Sequence, residues 1–308
     1  LEGFDPPPGL VGLPAHPEAD RRMSLAGASA EQLEGVVRVA RDALIVEPGG
    51  CGRPRESRRS AVQGQADRIE DRRFGGVSRL YGSELRHKFL NATVVVAGLG
   101  GVGSWAAESL ARTGIGHLVL VDLDHIAESN TNRQLHAIEG QYGKAKVQAM
   151  AERILQINPQ IRLTVCDEFL EPDNLGRIIP VDAYVLDATD SVQTKIALSV
   201  WAKTHNRVLV MCGAAGGKTQ PTAVRCDDLS RTEQDALLAK VRQGLRQDHG
   251  FSRNLKHKIG IRAIYSHEPR AGASTGGLAC SGYGSTVMVT AACGIAAAAE
   301  ILNLIGQE

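Results

Sequence analysis

Residues 93–122 read TVVVAGLGGVGSWAAESLARTGIGHLVLVD, and the fold is decided here. An apolar, β-branched run, Thr93 to Ala97, passes without a gap into Gly98-Leu99-Gly100-Gly101-Val102-Gly103. Residues 104–113 have Trp105, Ala106, Leu110 and Ala111 at helical spacing, and Gly114 and Gly116 end that helix. A second apolar run, residues 117–121, closes on Asp122. The order is strand, glycine turn, helix, strand, acid. Gly98 permits the tight turn, Gly100 lets backbone approach a phosphate, and Gly103 lets helix pack on strand. Exposed N–H groups at a helix start favour an anion, and the helix dipole adds roughly 0.3–1 kcal/mol. Asp122 stands about 20 residues beyond the turn, where a carboxylate accepts ribose hydroxyls. The stretch predicts a nucleotide site.

Working outward, the same alternation continues. A polar loop carries Asp124, Asn130, Asn132, Arg133 and Gln134 away from the end of the second strand. In open α/β sheets ligands bind at that face. Residues 145–157 predict a helix stopped by Asn158-Pro159, and residues 162–165 a third strand. Residues 183–186 form a fourth strand running into Asp187-Ala188-Thr189-Asp190, then come a helix over 192–204 and a fifth strand over 208–211. This alternation implies a Rossmann-like, mostly parallel sheet flanked by helices. Beyond residue 222 the pattern weakens to a short strand near 223–227, a helix over 232–248 and a long apolar helix over 286–305. Glu300 and Asn303 make the last a core helix rather than a membrane span.

Before this block, residues 83–90 suggest a helix capped by Ser83, and 71–82 (DRRFGGVSRLYG) begin the globular part. Residues 1–70 read as a disordered or weakly ordered extension, with one short amphipathic helix over 30–44. The first 72 residues hold seven of the twelve prolines and a single aromatic, Phe4. The chain opens at Leu1, and Met23 is one candidate start.

Net charge is +1, so bulk electrostatics names no partner, and 4% aromatic content disfavours a stacking platform for single strands. Six scattered cysteines without a CxxC pair argue against a zinc ribbon or a disulfide framework and fit a reducing cytoplasm.

Three features exceed a generic dinucleotide site. Arg133, among Asn130, Asn132 and Gln134, offers planar bidentate contacts to phosphate. Lys146, near a helix start, supplies a point charge. Asp187 and Asp190 leave a strand end, where Mg²⁺ needs only one or two protein carboxylates. NAD chemistry leaves this set without a purpose; cleaving ATP uses it, because charge must be stabilised during in-line displacement.

With these segments in view, the sequence resembles the ubiquitin-activating-like adenylating enzymes, the ThiF/MoeB-like superfamily. Matching segments are residues 98–103, 122–124, 130–134, 143–146 and 187–190. The resemblance implies ATP held by Gly98, Gly100, Gly101 and Gly103, with Asp122 on the ribose, Asn130, Arg133 and Lys146 on the phosphates, and Asp190 on Mg²⁺. It implies a homodimer in which Arg79 reaches ATP across the interface. Within the superfamily, RRFGGVSRLYG (72–82), NTNRQLHA (130–137), KVQAMAERILQINP (146–159) and DATDSVQTKIAL (187–198) look like the branch that dehydrates threonylcarbamoyladenosine in tRNA.

That likeness covers residues 71–308 and implies ATP-dependent cyclisation through an acyl-adenylate. The alternative is adenylation of the C-terminus of a sulfur-carrier or ubiquitin-like protein. A cysteine desulfurase or sulfur-acceptor system is a further partner within the resemblance. No covalent enzyme intermediate is needed, and Cys280 reads as a small structural cysteine ahead of a nucleophile. The densest positive region after residue 70 is 240–262, with seven Lys/Arg against one acid. It is expected to hold the tRNA through Arg253, Lys256 and Lys258, as a C-terminal tRNA-contacting part of the adenylating domain.

Overall fold

The computed structural model describes residues 44–45, 63–254, 256–269 and 283–308. Eight strands among them form one sheet: β1 (Leu44–Ile45), β2 (Thr93–Ala97), β3 (His117–Val121), β4 (Arg162–Cys166), β5 (Tyr184–Asp187), β6 (Leu209–Cys212), β7 (Val224–Asp228) and β8 (Arg262–Ser266). Their spatial order is β1-β4-β3-β2-β5-β6-β8-β7, and every neighbouring pair is parallel except β7–β8. The chain enters at the middle with β2, builds outward through β3 and β4, then returns to the other side of β2 with β5 and β6. This is the doubly wound order, and its direction reverses between β2 and β5.

The helices are α1 (Gln63–Tyr81), α2 (Ser83–Asn91), α3 (Gly103–Thr113), α4 (Lys146–Ile157), α5 (Leu175–Ile178), α6 (Val192–His205), α7 (Ala236–Asp248) and α8 (Val287–Gln307). The central strands are buried on both faces, so alternate residues serve two cores. Val94, Val96, Leu118 and Leu120 pack with α3, α4 and α8. Val95, Ala97, Val119 and Val121 pack with α6 and α7 on the opposite side.

Two glycine positions explain the join of β2 to α3. Gly98 has φ +83°, a left-handed conformation that side chains disfavour. A Cβ on Gly103 would fall inside the van der Waals radius of the Gly98 carbonyl oxygen. The helix therefore approaches the strand as closely as the turn requires.

Several elements depart from the sequence expectations. Ser83 is the first residue of α2, not its cap; Gly82, at φ +84°, takes that place without a side-chain bond. α1 runs continuously through Gly75 and Gly76 and begins at Gln63, inside the stretch read as an extension. Leu44, expected to end a helix, pairs in β1 with Leu163. The remainder of residues 1–62 lies outside the described residues. A strand that the sequence reading did not include, β8, opens at Arg262, the last residue of the basic stretch 240–262, and inserts between β6 and β7. α8 is apolar enough in length and composition to cross a membrane, and half of its most apolar window is buried. It lies across α3, with Gly294 against the Val102 carbonyl, and buries Val289, Ala297 and Ile301 in the core.

Candidate functional site

A cavity of about 1040 Å³ opens at the carboxyl ends of the strands, where the winding reverses. Its walls include Gly98, Gly100 and Gly101 after β2, Asp122 and Asp124 after β3, and Asp190 after β5. The loop to α4 contributes Asn130, Arg133, Gln134 and Lys146. Ten of the residues singled out by the sequence thus face one space. α3 starts beside them with no side chain capping it; its Ser104 N–H donates to the Gly100 carbonyl at 3.2 Å.

Asp122 is held from both ends. Its Oδ2 accepts from the Leu99 N–H at 2.6 Å and its Oδ1 from the Asp124 N–H at 2.8 Å. Lys146 Nζ stands 3.7 Å from Oδ1. Burial raises the Asp122 pKa above the usual carboxylate range, against the opposing pull of Lys146 and the two N–H groups. A carboxylate has about four acceptor sites, so two remain for ribose hydroxyls. Lys146 itself donates to Asp124 Oδ2 at 2.6 Å, while its own N–H donates to the Asp124 carbonyl at 3.0 Å.

Arg133 Nη1 donates to the Ser129 carbonyl and to Asn132 Oδ1, each at 2.9 Å. Its carbonyl accepts from Trp105 Nε1 at 3.1 Å, which ties the loop to α3. Asn130 Oδ1 accepts from the Ala127 N–H at 3.0 Å and closes the short turn that presents Arg133. Gln134 is buried with Oε1 lacking a partner among the described residues.

Four expected residues lie outside the cavity wall. Gly103 acts through packing, as described above. Asn132 Nδ2 donates to the Ser285 carbonyl at 2.8 Å and its carbonyl accepts from the Val287 N–H, so it fastens the start of α8. Arg79 is exposed on α1. Asp187 is fully buried: Oδ1 accepts from the Thr189 N–H and hydroxyl, and Lys195 Nζ lies 3.1 Å from Oδ2. Oδ2 has that charge contact but no hydrogen-bond partner among the described residues; Asp187 shapes the turn that carries Asp190 and is absent from the cavity wall. Cys280 lies outside the described residues.

The sequence reading passed over other parts of the wall. Residues 168–173 after β4, Gly213 to Ala215 after β6, Leu237 and Thr290 complete it. The first two groups were discoverable, since they stand at carboxyl ends of parallel strands. His136, two residues beyond the wall residue Gln134, was also unforeseen. It is 3% exposed with both ring nitrogens lacking partners among the described residues. Burial, then Lys146 and Arg153, lowers its pKa to about 4.

The fold and site define a nucleotide-binding α/β protein with Arg133 and Lys146 on the cavity wall. Residues 75–308 match the ThiF family, and the chain belongs to it. It is 43% identical over 247 residues to the tRNA threonylcarbamoyladenosine dehydratase of Escherichia coli, covering 75% of this chain and 92% of that protein. It is 37% identical over 188 residues to the Bacillus subtilis protein of the same name, covering 61% and 71%. Among solved structures it is similar to the E. coli dehydratase in complex with ATP: TM-score 0.71, 43% identity, 78% of this chain and 96% of that one.

Proposed function

We infer that this chain is an ATP-dependent dehydratase that cyclises N6-threonylcarbamoyladenosine in tRNA through an acyl-adenylate. The observation that carries the reading is the gathering of Arg133, Lys146 and Asp190 around one glycine-turn cavity, in a chain so similar to dehydratases. The threonyl carboxylate attacks the α-phosphate of ATP and pyrophosphate leaves. The ureido group then attacks the activated carbonyl and AMP leaves. The net change in the nucleoside is loss of one water.

In this reading the backbone of Gly98 to Gly101 and the start of α3 cradle the phosphates. Asp122 takes the ribose hydroxyls. Lys146 and Arg133 leave their carboxylate and carbonyl partners to meet the developing phosphate charge, where preorganised cations are worth most. The residues suit a magnesium ion. Asp190 is an exposed wall carboxylate with no bond to another side chain among the described residues, and one or two carboxylates with phosphate oxygens are a usual magnesium set. Bound there, the ion would neutralise phosphate charge. Asp187, buried beside Lys195 and bonded to Thr189, would support it only indirectly.

Arg79 is absent from its own cavity wall and sits next to Leu80, which is 77% exposed. Both facts suit a homodimer in which a second copy supplies this arginine. The tRNA contacts are assigned to Arg253, Lys256 and Lys258, all exposed between α7 and β8. Arg262, the last cation of the stretch 240–262, is paired within the fold: its Nε donates to Glu300 Oε1 at 2.5 Å. The work is placed in the cytoplasm, with ATP and tRNA. Pyrophosphate release tests the reading. It should require threonylcarbamoylated tRNA and stay at background with unmodified tRNA. Release driven by a sulfur-carrier protein instead would overturn it.

A further inference from the structure

A second hollow, of about 500 Å³, lies away from the nucleotide cavity on the outer face of α7. Ala239, Arg242, Gln243, Arg246 and Gln247 recur at three- and four-residue intervals and so share one face of the helix. Leu237, Leu238, Val241 and Leu245 bury the other. Arg253 curls back from the following loop, its Nε donating to the Arg246 carbonyl at 3.3 Å, and completes the lining.

The charges here are unbalanced. No carboxylate lines the hollow among the described residues. Nε and Nη2 of Arg246 are enclosed without a hydrogen-bond partner among them. Arg242 Nη1 donates to the Leu229 carbonyl at 3.4 Å and to Thr232 Oγ1. Burial, and next the Arg246 charge, lowers the Arg242 pKa, while Asp235 and Tyr265 act the other way. Three guanidinium groups clustered on one lining form a fork-shaped receptor for a tetrahedral oxyanion.

We propose that Arg242, Arg246 and Arg253 form a subsite for a backbone phosphate of the tRNA, separate from the site that holds ATP. The proposal rests on the dehydratase reading for its choice of RNA. Position supports that choice. α7 begins at the nucleotide cavity, whose wall includes Leu237, and Arg246 lies nine residues further along. At about 1.5 Å per residue the two are roughly 13 Å apart along the helix. A tRNA whose modified base enters the cavity has phosphates within that distance. Gln243 and Gln247 add neutral donors between the guanidinium groups.

The test is the salt dependence of tRNA binding to the full-length protein without ATP. Arg246→Gln and, separately, Arg253→Gln should each flatten the log–log slope by about 0.7–0.9. Arg253 is exposed in a loop, so its variant reports even if Arg246→Gln fails to fold. Lys240→Gln removes an exposed charge of α7 outside the hollow and should change the slope less. Slopes unchanged in the arginine variants, or an equal change in Lys240→Gln, would overturn the subsite. Titration with inorganic phosphate, followed by the Nε–H resonances of Arg246 and Arg253, separates the sources. Saturation by free phosphate with no effect on tRNA slope would make this a free-phosphate site and overturn the RNA assignment. Conversion of modified tRNA by the unaltered protein tests the dehydratase reading independently.

Discussion

Lys146 and Arg246 are both helix-borne cations beside hollows, yet Lys146 has two carboxylates within 3.7 Å while, among the described residues, no carboxylate lines the hollow that Arg246 faces. The cavity neutralises Lys146 from within, and holds Arg133 on a carbonyl and an amide oxygen. The outer face of α7 leaves its cations for something outside the described residues to neutralise. Changes in the cavity should therefore appear in catalysis or folding, and changes on α7 in the salt dependence of association.

The largest expected effect tests the frame of the cavity. Gly103→Ala places a methyl group against the Gly98 carbonyl, which β2 and the turn hold in place. It should cost at least about 3 kcal/mol and leave little cooperatively folded protein, as read by urea unfolding. A stable Gly103→Ala protein would show that the turn yields more easily than its packing implies.

Next come two lysines in different surroundings. Lys195 and Asp187 are both fully buried, so Lys195→Met strands a carboxylate without water and should lose about 3–5 kcal/mol of stability. Lys146 lies 3.7 Å from the buried Asp122, which two backbone N–H groups also satisfy, and bonds an Asp124 side chain that is 58% exposed, so Lys146→Met should cost less in folding than Lys195→Met. Its loss should appear instead as a drop of roughly 10²–10³ in pyrophosphate release. Similar stability losses in the two variants would erase the distinction between a structural and a ligand-directed lysine.

Acid titration sharpens the contrast in a smaller range. Burial, foremost, holds His117 and His136 near a pKa of about 4, against an ordinary 6.5. Both stay neutral in the fold while the unfolded chain takes up protons. Stability from this source is complete above about pH 6.5 and falls as pH drops toward 4, by up to about 3 kcal/mol per histidine. His136→Phe should flatten that decline; an unchanged pH profile would mean that its ring does not titrate on unfolding. The smallest effect belongs to the outer face. Replacing Arg253, Lys256 and Lys258 with alanine should reduce the salt slope of tRNA binding by roughly two to three units and leave ATP affinity unaltered.

The half of the molecule containing the glycine turn was legible because each local signal agreed with the next. Residues 93–97 and 117–121 were read as strands and are β2 and β3. The helix expected over 145–157 is α4 from Lys146. Doubly wound sheets bring strand ends together, so acids and amides far apart in sequence were correctly gathered at one edge. The later half was harder for a physical reason. β8 offers only Ala263, Ile264 and Tyr265 as an apolar run, and periodicity does not separate so short a run from a loop. Its place between β6 and β7 comes from long-range pairing. α1 crosses two glycines that local propensity counts against a helix, and tertiary contact overrides that cost. The Asp187–Lys195 pair spans a turn and the first part of a helix, a spacing that matches no motif. Asp187 was therefore read as facing a ligand when it is locked in the core.

The central claim is that the cavity activates a carboxylate carried by tRNA. The most direct measurement is mass analysis of nucleosides after incubating the protein with ATP and threonylcarbamoylated tRNA. The account predicts that the modified adenosine loses one water while ATP becomes AMP and pyrophosphate, and that Arg133→Ala abolishes both changes in a folded protein. Pyrophosphate release with an unchanged nucleoside, or tight NADH binding without ATP affinity, would contradict it.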